Sequence, residues 1–397
     1  MKKFKLAVLA PHPIQYQAPF FKKLANHPEI DLTVYFCWDF SAEKAGYDIG
    51  FGKEIKWDIP LLDGYHYKFL KNFSLHPESG KWGRQINPGI IKEIRKGRYD
   101  AILIHGWNSF TGWLAFLSAF LTKTPVFMHA ENPLNQESFK SHLKIKIKKV
   151  ILGWLFKRIN IFLYIGEENK KFFKYYGVPE TKLIFCPYAV ENERFKSEAE
   201  KLKNSKIEFK KELGFNKDQF VVLFMGKLIE KKQPFDLLKA YELLAADNPN
   251  SGLVFVGDGV LKPDLEKYAK DRNLSNIRFV GFKNQTELPK YYTLADVLVL
   301  PSGAGETWGL AVNEAMCFGL PVIVSDVVGC GPDLVKNNTN GYIFPLGDIK
   351  QLSSKFRDLA GNYEKINSFG KKSLEIVKNY TFEKDIDGIL KALKHAQ

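Results

Sequence analysis

Short runs of apolar residues alternate with amphipathic stretches along most of this chain. The runs at residues 6–10, 126–128 and 221–225 are too short for a helix and end near turn-forming residues, so they predict buried strands. Apolar residues at helical spacing lie between such runs, as at residues 110–121. Because strands that alternate with helices form parallel sheets covered on both faces, the pattern predicts an α/β protein with doubly wound sheets.

The same pattern extends over both halves of the chain. Further strands are predicted at 32–36, near Tyr67, and at 101–104, 161–165, 183–185, 254–256 and 278–280. Further helices are predicted around residues 20–24, 90–95 and 382–393. Two stretches lack this periodicity. Apart from the strand near Tyr67, residues 40–88 are rich in glycine, aromatic and charged residues, and the polar residues 196–206 predict a mobile linker.

Residues 295–335 carry the most specific pattern. An apolar strand at Val297–Leu300 is stopped by Pro301, and a loop of small residues follows. Helical spacing begins near Gly309, and a second buried strand is predicted at 322–324. The order strand, loop, helix, strand is a βαβ unit, so the loop lies at the carboxyl edge of a parallel sheet.

The chemistry of that loop favours a nucleotide sugar. The first turn of a helix presents unpaired N–H groups and a partial positive charge, and small residues let an anion approach the backbone. A phosphate or diphosphate is therefore expected there. Glu306 in the loop and Glu314 on the helix would repel that anion unless they accept hydrogen bonds from hydroxyl groups. A ligand with a diphosphate between two polyhydroxylated ends satisfies both conditions.

Composition adds a charge asymmetry and excludes some classes of protein. The 397 residues carry a net charge of +14 and suffice for two or three domains. Up to Phe195 the chain has 29 Lys and Arg against 18 Asp and Glu, whereas the remainder has 29 against 26. An anionic membrane or a nucleic acid is a candidate partner for that basic excess. The four cysteines form neither a disulfide framework nor a zinc pattern, and no signal peptide is recognised, which fits a reducing cytoplasm.

The residues of the βαβ unit also carry a resemblance to a known family. The strings ETWG at 306–309, EAM at 314–316 and GLPV at 319–322 resemble the donor site of the retaining family 4 glycosyltransferases, the glycosyl transferases of group 1. The resemblance implies the GT-B fold, in which two Rossmann-like doubly wound parallel-sheet domains face a cleft. It spans nearly the whole chain and is strongest from Gly226 onward.

The resemblance assigns roles to individual residues of this loop and helix. In the family, the acid that matches Glu306 contacts hydroxyls of the donor sugar, and the acid that matches Glu314 holds the ribose of the nucleotide. The amides around the matching Gly309 and Leu310 meet the diphosphate. Trp308 stands where the family usually has phenylalanine, and it is assigned to the donor site with its neighbours.

Two lysines and three further turns complete the predicted donor site. The family places an arginine and a lysine five residues apart after its strand to neutralise the diphosphate, and Lys227 and Lys232 hold that spacing here. Lysine keeps the positive charge of arginine but cannot form the bidentate hydrogen bonds of a guanidinium group. The nucleotide base is expected between the glycine turns that follow two neighbouring strands. The remaining candidate donor contacts are Gly226, Gly257, Gly259 and Phe282.

Three histidines indicate a second site in the first half of the chain. His12, His105 and His129 each come within two residues of the carboxyl end of a predicted strand, where ligands of open α/β sheets bind. In the family, a histidine at the position of His129 lies near the donor sugar and the reacting centre. His12, Gln15 and His105 are the candidate acceptor contacts. Because a lone histidine is more often structural, a packing role stays open for His12 and His105.

The most basic segment, residues 138–158, predicts an amphipathic helix. Its apolar face holds Leu143, Ile147, Val150, Ile151 and Trp154, and its basic residues include Lys140, Lys144, Lys146, Lys148 and Lys149. Such a helix is able to lie on an anionic membrane surface. The alternative is a core-packed helix with a solvated lysine face. The family's frequent use of lipid-linked acceptors favours the membrane.

The resemblance leads to one expected organisation. Residues 1–195 form an acceptor-binding domain, residues 205–380 a nucleotide-sugar-binding domain, and residues 381–397 a terminal helix that returns to the first domain. The protein is expected in the cytoplasm, as a peripheral protein on the inner face of the cell membrane.

The expected activity is a metal-independent, retaining transfer of sugar from a nucleotide-diphosphate sugar. The donor is by default a UDP-sugar, and the acceptor a carbohydrate or a lipid-linked compound used for polysaccharide, lipopolysaccharide or glycolipid synthesis. No cofactor, metal or nucleic acid is expected to take part. Two alternatives stay open: a nucleotide-sugar epimerase of the same fold, and a non-catalytic basic protein that binds RNA or another polyanion.

Overall fold

The structure, a computed structural model, describes residues 3–40, 42, 45–78 and 82–396. It divides into two compact units. The first unit comprises Met1–Gly46, Ile55–Tyr188 and Phe382–Gln397, and the second comprises Tyr47–Glu54 and Ala189–Thr381. The second unit therefore contains a short piece of the N-terminal half of the chain.

The predicted strands and helices all occur, with ends that differ by a few residues. In chain order the strands are β1 (Phe4–Ala10), β2 (Ile30–Phe36), β3 (Gly46–Asp48), β4 (Lys53–Ile55), β5 (His66–Phe69), β6 (Ala101–His105), β7 (Val126–His129), β8 (Ile161–Tyr164), β9 (Leu183–Phe185), β10 (Phe220–Met225), β11 (Ser251–Val256), β12 (Ile277–Phe279), β13 (Val297–Leu300), β14 (Val322–Ser325) and β15 (Gly341–Phe344). The α-helices are α1 (Ala18–Ala25), α2 (Gly89–Gly97), α3 (Phe110–Thr122), α4 (His142–Phe156), α5 (Glu167–Tyr175), α6 (Asn192–Leu202), α7 (Lys206–Glu212), α8 (Pro234–Asp247), α9 (Lys262–Asp271), α10 (Leu288–Leu294), α11 (Leu310–Cys317), α12 (Gly331–Leu334), α13 (Ile349–Leu359), α14 (Tyr363–Val377) and α15 (Phe382–His395).

The first unit is built on a parallel sheet. Seven strands of the described residues form it, in the order β5-β2-β1-β6-β7-β8-β9. Successive side chains of a strand point to opposite faces. Accordingly Ala7 and Leu9 of β1 join the core on one face, whereas Leu6 and Val8 join the core on the other.

The C-terminal helix α15 belongs to the first unit. Its Ile386, Ile389 and Leu393 pack in the same core as Leu6 of β1. Gly388 permits this approach, because a Cβ there would lie 2.3 Å from the sulfur of Cys186. The last residues of the chain thus complete a core begun by the first strand.

The second unit contains a six-stranded sheet among the described residues, ordered β12-β11-β10-β13-β14-β15 and parallel throughout. Its strands are almost continuously apolar, as expected when both faces are covered by helices. The pattern at residues 295–335 is confirmed: β13, a loop, α11 and β14 follow one another as predicted.

One sequence prediction was wrong, and one small sheet was missed. The polar stretch 196–206, predicted as a mobile linker, lies mostly within helices α6 and α7. Phe195 of α6 is buried against Tyr292 and Phe318, so one apolar residue anchors an otherwise polar helix. Within residues 40–88, strands β3 and β4 form a two-stranded sheet that the sequence pattern did not indicate.

Candidate functional site

The strand order of each sheet reverses next to its first strand. In the second unit the chain moves outward from β10 to β11 and β12, and then returns to place β13 on the other side of β10. Ligands of open α/β sheets bind at the carboxyl ends of the two strands that flank such a reversal. The loops after β10 and β13, which carry Lys227, Lys232 and Glu306, therefore lie at the expected crevice.

Glycines let the loop after β10 lie directly on the turn after β11. A Cβ at Gly257 would lie 1.9 Å from the carbonyl oxygen of Gly226, and a Cβ at Gly259 would lie 2.4 Å from that of Leu228. Gly226 N donates to Val256 O at 2.9 Å across this contact. These glycines fix the loop that carries the lysines, and their contact with a nucleotide stays a prediction.

Helix α11 starts at the carboxyl end of β13. Gly309 precedes it with φ of +103°, and a Cβ there would lie 2.6 Å from the Cδ2 atom of Leu300. A side chain is therefore excluded at the turn into the helix, and the first N–H groups, from Leu310 onward, start immediately after the loop. Such groups lack partners within their own helix and favour an anion.

The predicted residues Lys232 and Glu306 are brought into contact. Lys232 Nζ forms an ion pair with the Glu306 carboxylate, and Ser302 Oγ donates to the same carboxylate at 3.0 Å. Burial would raise the pKa of Glu306, but the charges of Lys232 and Lys231 hold it below its ordinary value. Glu306 is therefore ionised at neutral pH, beside a cation and a helix N-terminus. Ser302 was not predicted, because a single serine in a loop carries no pattern.

The other predicted lysine, Lys227, has a separate partner. Its Nζ lies 2.7 and 2.9 Å from the two carboxylate oxygens of Asp48, at the end of β3. This pair was not predictable from a local pattern, since 179 residues separate its members. The two lysines that match the family spacing thus each carry an internal carboxylate partner.

Glu314 lies in an apolar setting on α11. Its carboxylate accepts a hydrogen bond from the hydroxyl of Tyr292, a buried residue of α10. Burial raises the pKa of Glu314 to about 7, although the Tyr292 bond and the charge of Arg194 oppose the rise. Arg194 is held nearby by Glu191 and Gln285. Near neutral pH this carboxyl is therefore close to half ionised.

Two aromatic residues of the predicted donor site face different surroundings. The indole of Trp308 is 2% exposed and donates from Nε1 to Asn313 Oδ1 at 2.9 Å, so its side chain contributes to the interior. Phe282 lies after β12, where its amide donates to Asp258 Oδ2 at 2.9 Å and its ring contacts Phe51. Donor contact by either residue stays a prediction.

The predicted first-unit residues gather at the carboxyl ends of β1, β6 and β7. The rings of His105 and His129 lie 4.9 Å apart, and His129 also contacts Tyr188. Burial lowers the pKa of His129 to about 4, so its imidazole is neutral, and within the described residues its Nδ1 has no hydrogen-bond partner. His12 packs against the rings of Trp38 and Phe40, and Gln15 lies half-buried in the same loop.

In the described part of the chain, no cluster of three or more His, Cys, Asp or Glu side chains has the geometry of a metal site. None of the helices in that part combines the length and apolar character needed to cross a bilayer.

The chain contains two parallel sheets of Rossmann strand order. In the second sheet, an ion pair lies beside a helix N-terminus at the point where the strand order reverses. These features define a two-domain protein of the GT-B class. Sequence comparison carries the identification further. The model of the family described as glycosyl transferases group 1 matches residues 205–376. The chain belongs to this glycosyltransferase family.

Individual relatives agree with that assignment. The chain is 32% identical over 269 residues to UDP-Gal:alpha-D-GlcNAc-diphosphoundecaprenol alpha-1,3-galactosyltransferase of Escherichia coli, covering 66% of each chain. It is 25% identical over 350 residues to the capsular polysaccharide biosynthesis glycosyltransferase CapM of Staphylococcus aureus, covering 80% of this chain and 89% of CapM. The crystal structure of HepE from Anabaena in complex with UDP and glucose matches with a TM-score of 0.72 at 16% identity, over 98% of this chain and 99% of HepE. That last likeness shows the GT-B fold.

Proposed function

We propose that this chain is a retaining, metal-independent glycosyltransferase that moves a sugar from a UDP-sugar to a carbohydrate or lipid-linked acceptor. The observation that carries the proposal is the ion pair between Lys232, after β10, and Glu306, in the loop before α11. The lysine suits a diphosphate and the carboxylate suits sugar hydroxyls. A ligand that uses both side chains at once has these groups next to each other, as a nucleotide sugar does.

Electrostatic stabilisation of the leaving diphosphate is the main catalytic contribution in this proposal. As the bond between sugar and phosphate breaks, negative charge grows on the phosphate oxygen. Lys232, Lys227 and the first amides of α11 supply fixed positive charge at the reversal of the second sheet. Preorganised charge of this kind is usually the largest single contribution to catalysis.

Retention of the sugar's configuration is proposed from the family resemblance. In that mechanism the acceptor approaches on the face from which the diphosphate departs, and the phosphate helps to take the proton of the acceptor. Glu306 is ion-paired with Lys232. This pairing favours a role in binding hydroxyls over a role as a free nucleophile. His129, neutral and buried, is assigned to the donor sugar, and His12, Gln15 and His105 to the acceptor.

Metal independence gives a direct prediction. Because lysines and helix amides supply the charge that a divalent cation gives elsewhere, transfer activity should be unchanged by EDTA. Activity is measured as UDP release from the donor in the presence of acceptor, with and without chelator. Loss of activity that magnesium or manganese restores would contradict this part of the proposal.

The polysaccharide or glycolipid role is proposed from the names of the relatives, and helix α4 supports a membrane-bound acceptor. All five apolar residues of the predicted face are exposed, with Leu143 at 68% and Val150 at 74%. This face does not pack in the core, and α4 is anchored there by Leu152, Leu155 and Phe156 instead. The ring of Trp154 stacks on Trp113 of α3, and α3 in turn exposes its leucines 117 and 121. One exposed apolar surface thus spans two helices.

The lysines of this region divide into two groups. Lys140 and Lys148 bind the buried carboxylate of Glu137 at 2.6 and 2.9 Å, and burial lowers the pKa of Lys148 to about 8. Lys148 therefore ties α4 to the segment that carries Glu137, and Lys140 binds the same carboxylate from just before the helix. Lys144, Lys146 and Lys149 are exposed beside the apolar face and supply the charge that an anionic lipid surface attracts.

Replacing Lys144, Lys146 and Lys149 with glutamine should release the protein from vesicles that contain anionic lipid. Each basic residue near such a surface contributes about fivefold in partitioning, so three should contribute about 100-fold. A matched control replaces Lys92, Arg95 and Lys96 of α2, which are equally exposed and basic. Vesicle sedimentation measures both. Equal binding by wild type and triple variant, or no binding by the wild type, would favour a solvated lysine face.

Thermal unfolding in the presence of candidate ligands tests the proposed donor. A ligand that binds only the folded state raises the melting temperature in proportion to RT ln(1 + [L]/Kd). UDP and UDP-sugars should raise it, and the shift should shrink in Lys232→Ala. A shift with single-stranded RNA but not with any nucleotide sugar would support the polyanion-binding alternative instead.

A further inference from the structure

The hairpin of residues 46–55, made of β3, a short turn and β4, carries two charged contacts to the loops at the carboxyl edge of the second sheet. In one contact the hairpin supplies the carboxylate, and in the other it supplies the ammonium. The hairpin carboxylate of Asp48 binds Lys227 after β10, and the hairpin ammonium of Lys53 binds Asp258 after β11 at 2.6 Å. Residues 47–54 are part of the second unit.

The hairpin is built to present Asp48. Its Oδ1 atom accepts hydrogen bonds from the amides of Gly50 and Phe51 at 2.8 and 3.0 Å, which fixes the carboxylate on its own turn. The side chain of Lys227 passes over Gly50, where a Cβ would lie 2.7 Å from the lysine Cδ. The ammonium also lies 4.7 Å from the centre of the Phe51 ring. Lys227 thus contacts a carboxylate, an aromatic ring and a glycine of the hairpin.

The second contact lies where the nucleotide is expected. Asp258 accepts from Lys53, from Lys262 at 3.0 Å and from the amide of Phe282. The ring of Phe51 meets that of Phe282 edge-on, with centroids 5.0 Å apart. The hairpin therefore lies along the ends of β10, β11 and β12, which is the ligand-binding edge of a Rossmann sheet.

We propose that this hairpin is an intramolecular competitor of the donor diphosphate. Asp48 neutralises Lys227, and it leaves the lysine when a diphosphate, with its greater charge, takes its place. Donor binding and hairpin release are then one coupled equilibrium. The proposal rests on the proposed function, because it takes Lys227 as a ligand of the diphosphate.

Calorimetric titration of the full-length protein with UDP tests the competition. Asp48→Asn keeps an acceptor for the turn amides but removes the charge that holds Lys227. A partly exposed ion pair is a weak competitor, so UDP affinity should rise by about two- to fivefold. Asp63→Asn is the control, since it makes the same charge change at an exposed pair with Lys22 in the first unit and should leave the affinity unchanged. Unchanged or weaker binding in Asp48→Asn would overturn the proposal.

Two further measurements separate this proposal from the proposed function. Lys227→Ala should weaken UDP binding; unchanged affinity would remove Lys227 from the phosphate site and overturn the proposal, while leaving the assignment of Lys232 intact. Hydrogen exchange of residues 46–55 should become faster when UDP is added, because release exposes the turn. Slower exchange would show that the hairpin closes on the nucleotide, and would overturn the competition even if UDP binds.

Discussion

Replacing Lys232 with alanine is expected to lower the rate of sugar transfer by about 100-fold or more, by analogy with the loss of a single donor from an oxyanion-binding site. Lys232 is the lysine in contact with Glu306, beside the start of α11. In the proposed site this lysine meets the phosphate next to the transferred sugar. Removing it takes positive charge from the position where negative charge grows in the transition state.

The rate of UDP release with donor and acceptor measures this effect, with Lys239→Ala as the matched control. Lys239 is an exposed lysine of α8 in the same unit and should be replaceable without loss. The melting temperature of Lys232→Ala should fall by a few degrees, because Glu306 is then buried without its cation. Both variants are therefore assayed well below that temperature. Activity of Lys232→Ala within a few-fold of wild type would refute the assigned role.

The two glutamates are expected to respond differently to the same substitution. Glu306→Gln should abolish most of the transfer, by about 100-fold or more, because it removes the charged acceptor for the donor-sugar hydroxyls and the partner of Lys232. Binding of bare UDP should stay nearly unchanged or become slightly tighter, since UDP has no such sugar and loses the repulsion of the Glu306 charge. Glu314→Gln should weaken UDP binding by about 10- to 100-fold above neutral pH, because a charged acceptor for the ribose hydroxyls is lost.

The pH dependence adds a second readout for Glu314. With a pKa of about 7, its carboxyl is mostly protonated at pH 6 and mostly ionised at pH 8. The affinity ratio of wild type to Glu314→Gln should therefore increase as the pH rises through 7. The titration of UDP itself is common to both proteins and cancels in the ratio. Calorimetry at pH 6, 7 and 8 measures it, and equal effects of the two glutamate substitutions on UDP affinity would overturn the division of roles.

The sheets and the β13–α11–β14 unit were predictable because their signals are local. Runs such as Val297–Leu300 are apolar, short and stopped by a turn residue, and a parallel strand buried on both faces requires little else. Glu306 and Glu314 were identifiable because a loop and helix of known spacing place them relative to one another. The structure places Glu306 in the loop before α11 and Glu314 on that helix.

The partners of those residues were not predictable, because each comes from a distant part of the chain. Tyr292 and Arg194 reach Glu314 from separate helices, and Asp48 reaches Lys227 across 179 residues. No periodicity marks such residues in the sequence. The same reason explains the missed hairpin, whose strands have three residues each and alternate too briefly to give a signal.

Helix α4 shows where an apolar pattern is ambiguous. The sequence correctly indicated a helix, but it left open whether the face of Leu143 and Val150 is covered. The structure leaves both exposed and buries Leu152 and Phe156 instead. Periodicity shows which apolar residues share a face of a helix. Which face meets the core depends on the neighbouring helices.

Proton NMR of the reaction itself tests the central claim most directly. The full-length protein is incubated with each of several α-linked UDP-sugars, with and without an extract of membrane lipids and oligosaccharides as acceptor. We predict that one donor is consumed, that its sugar appears on the acceptor with an α-anomeric signal, and that Glu306→Gln abolishes the product. Conversion of the donor to a second nucleotide sugar without acceptor would identify an epimerase and contradict the account, as would a β-anomeric product.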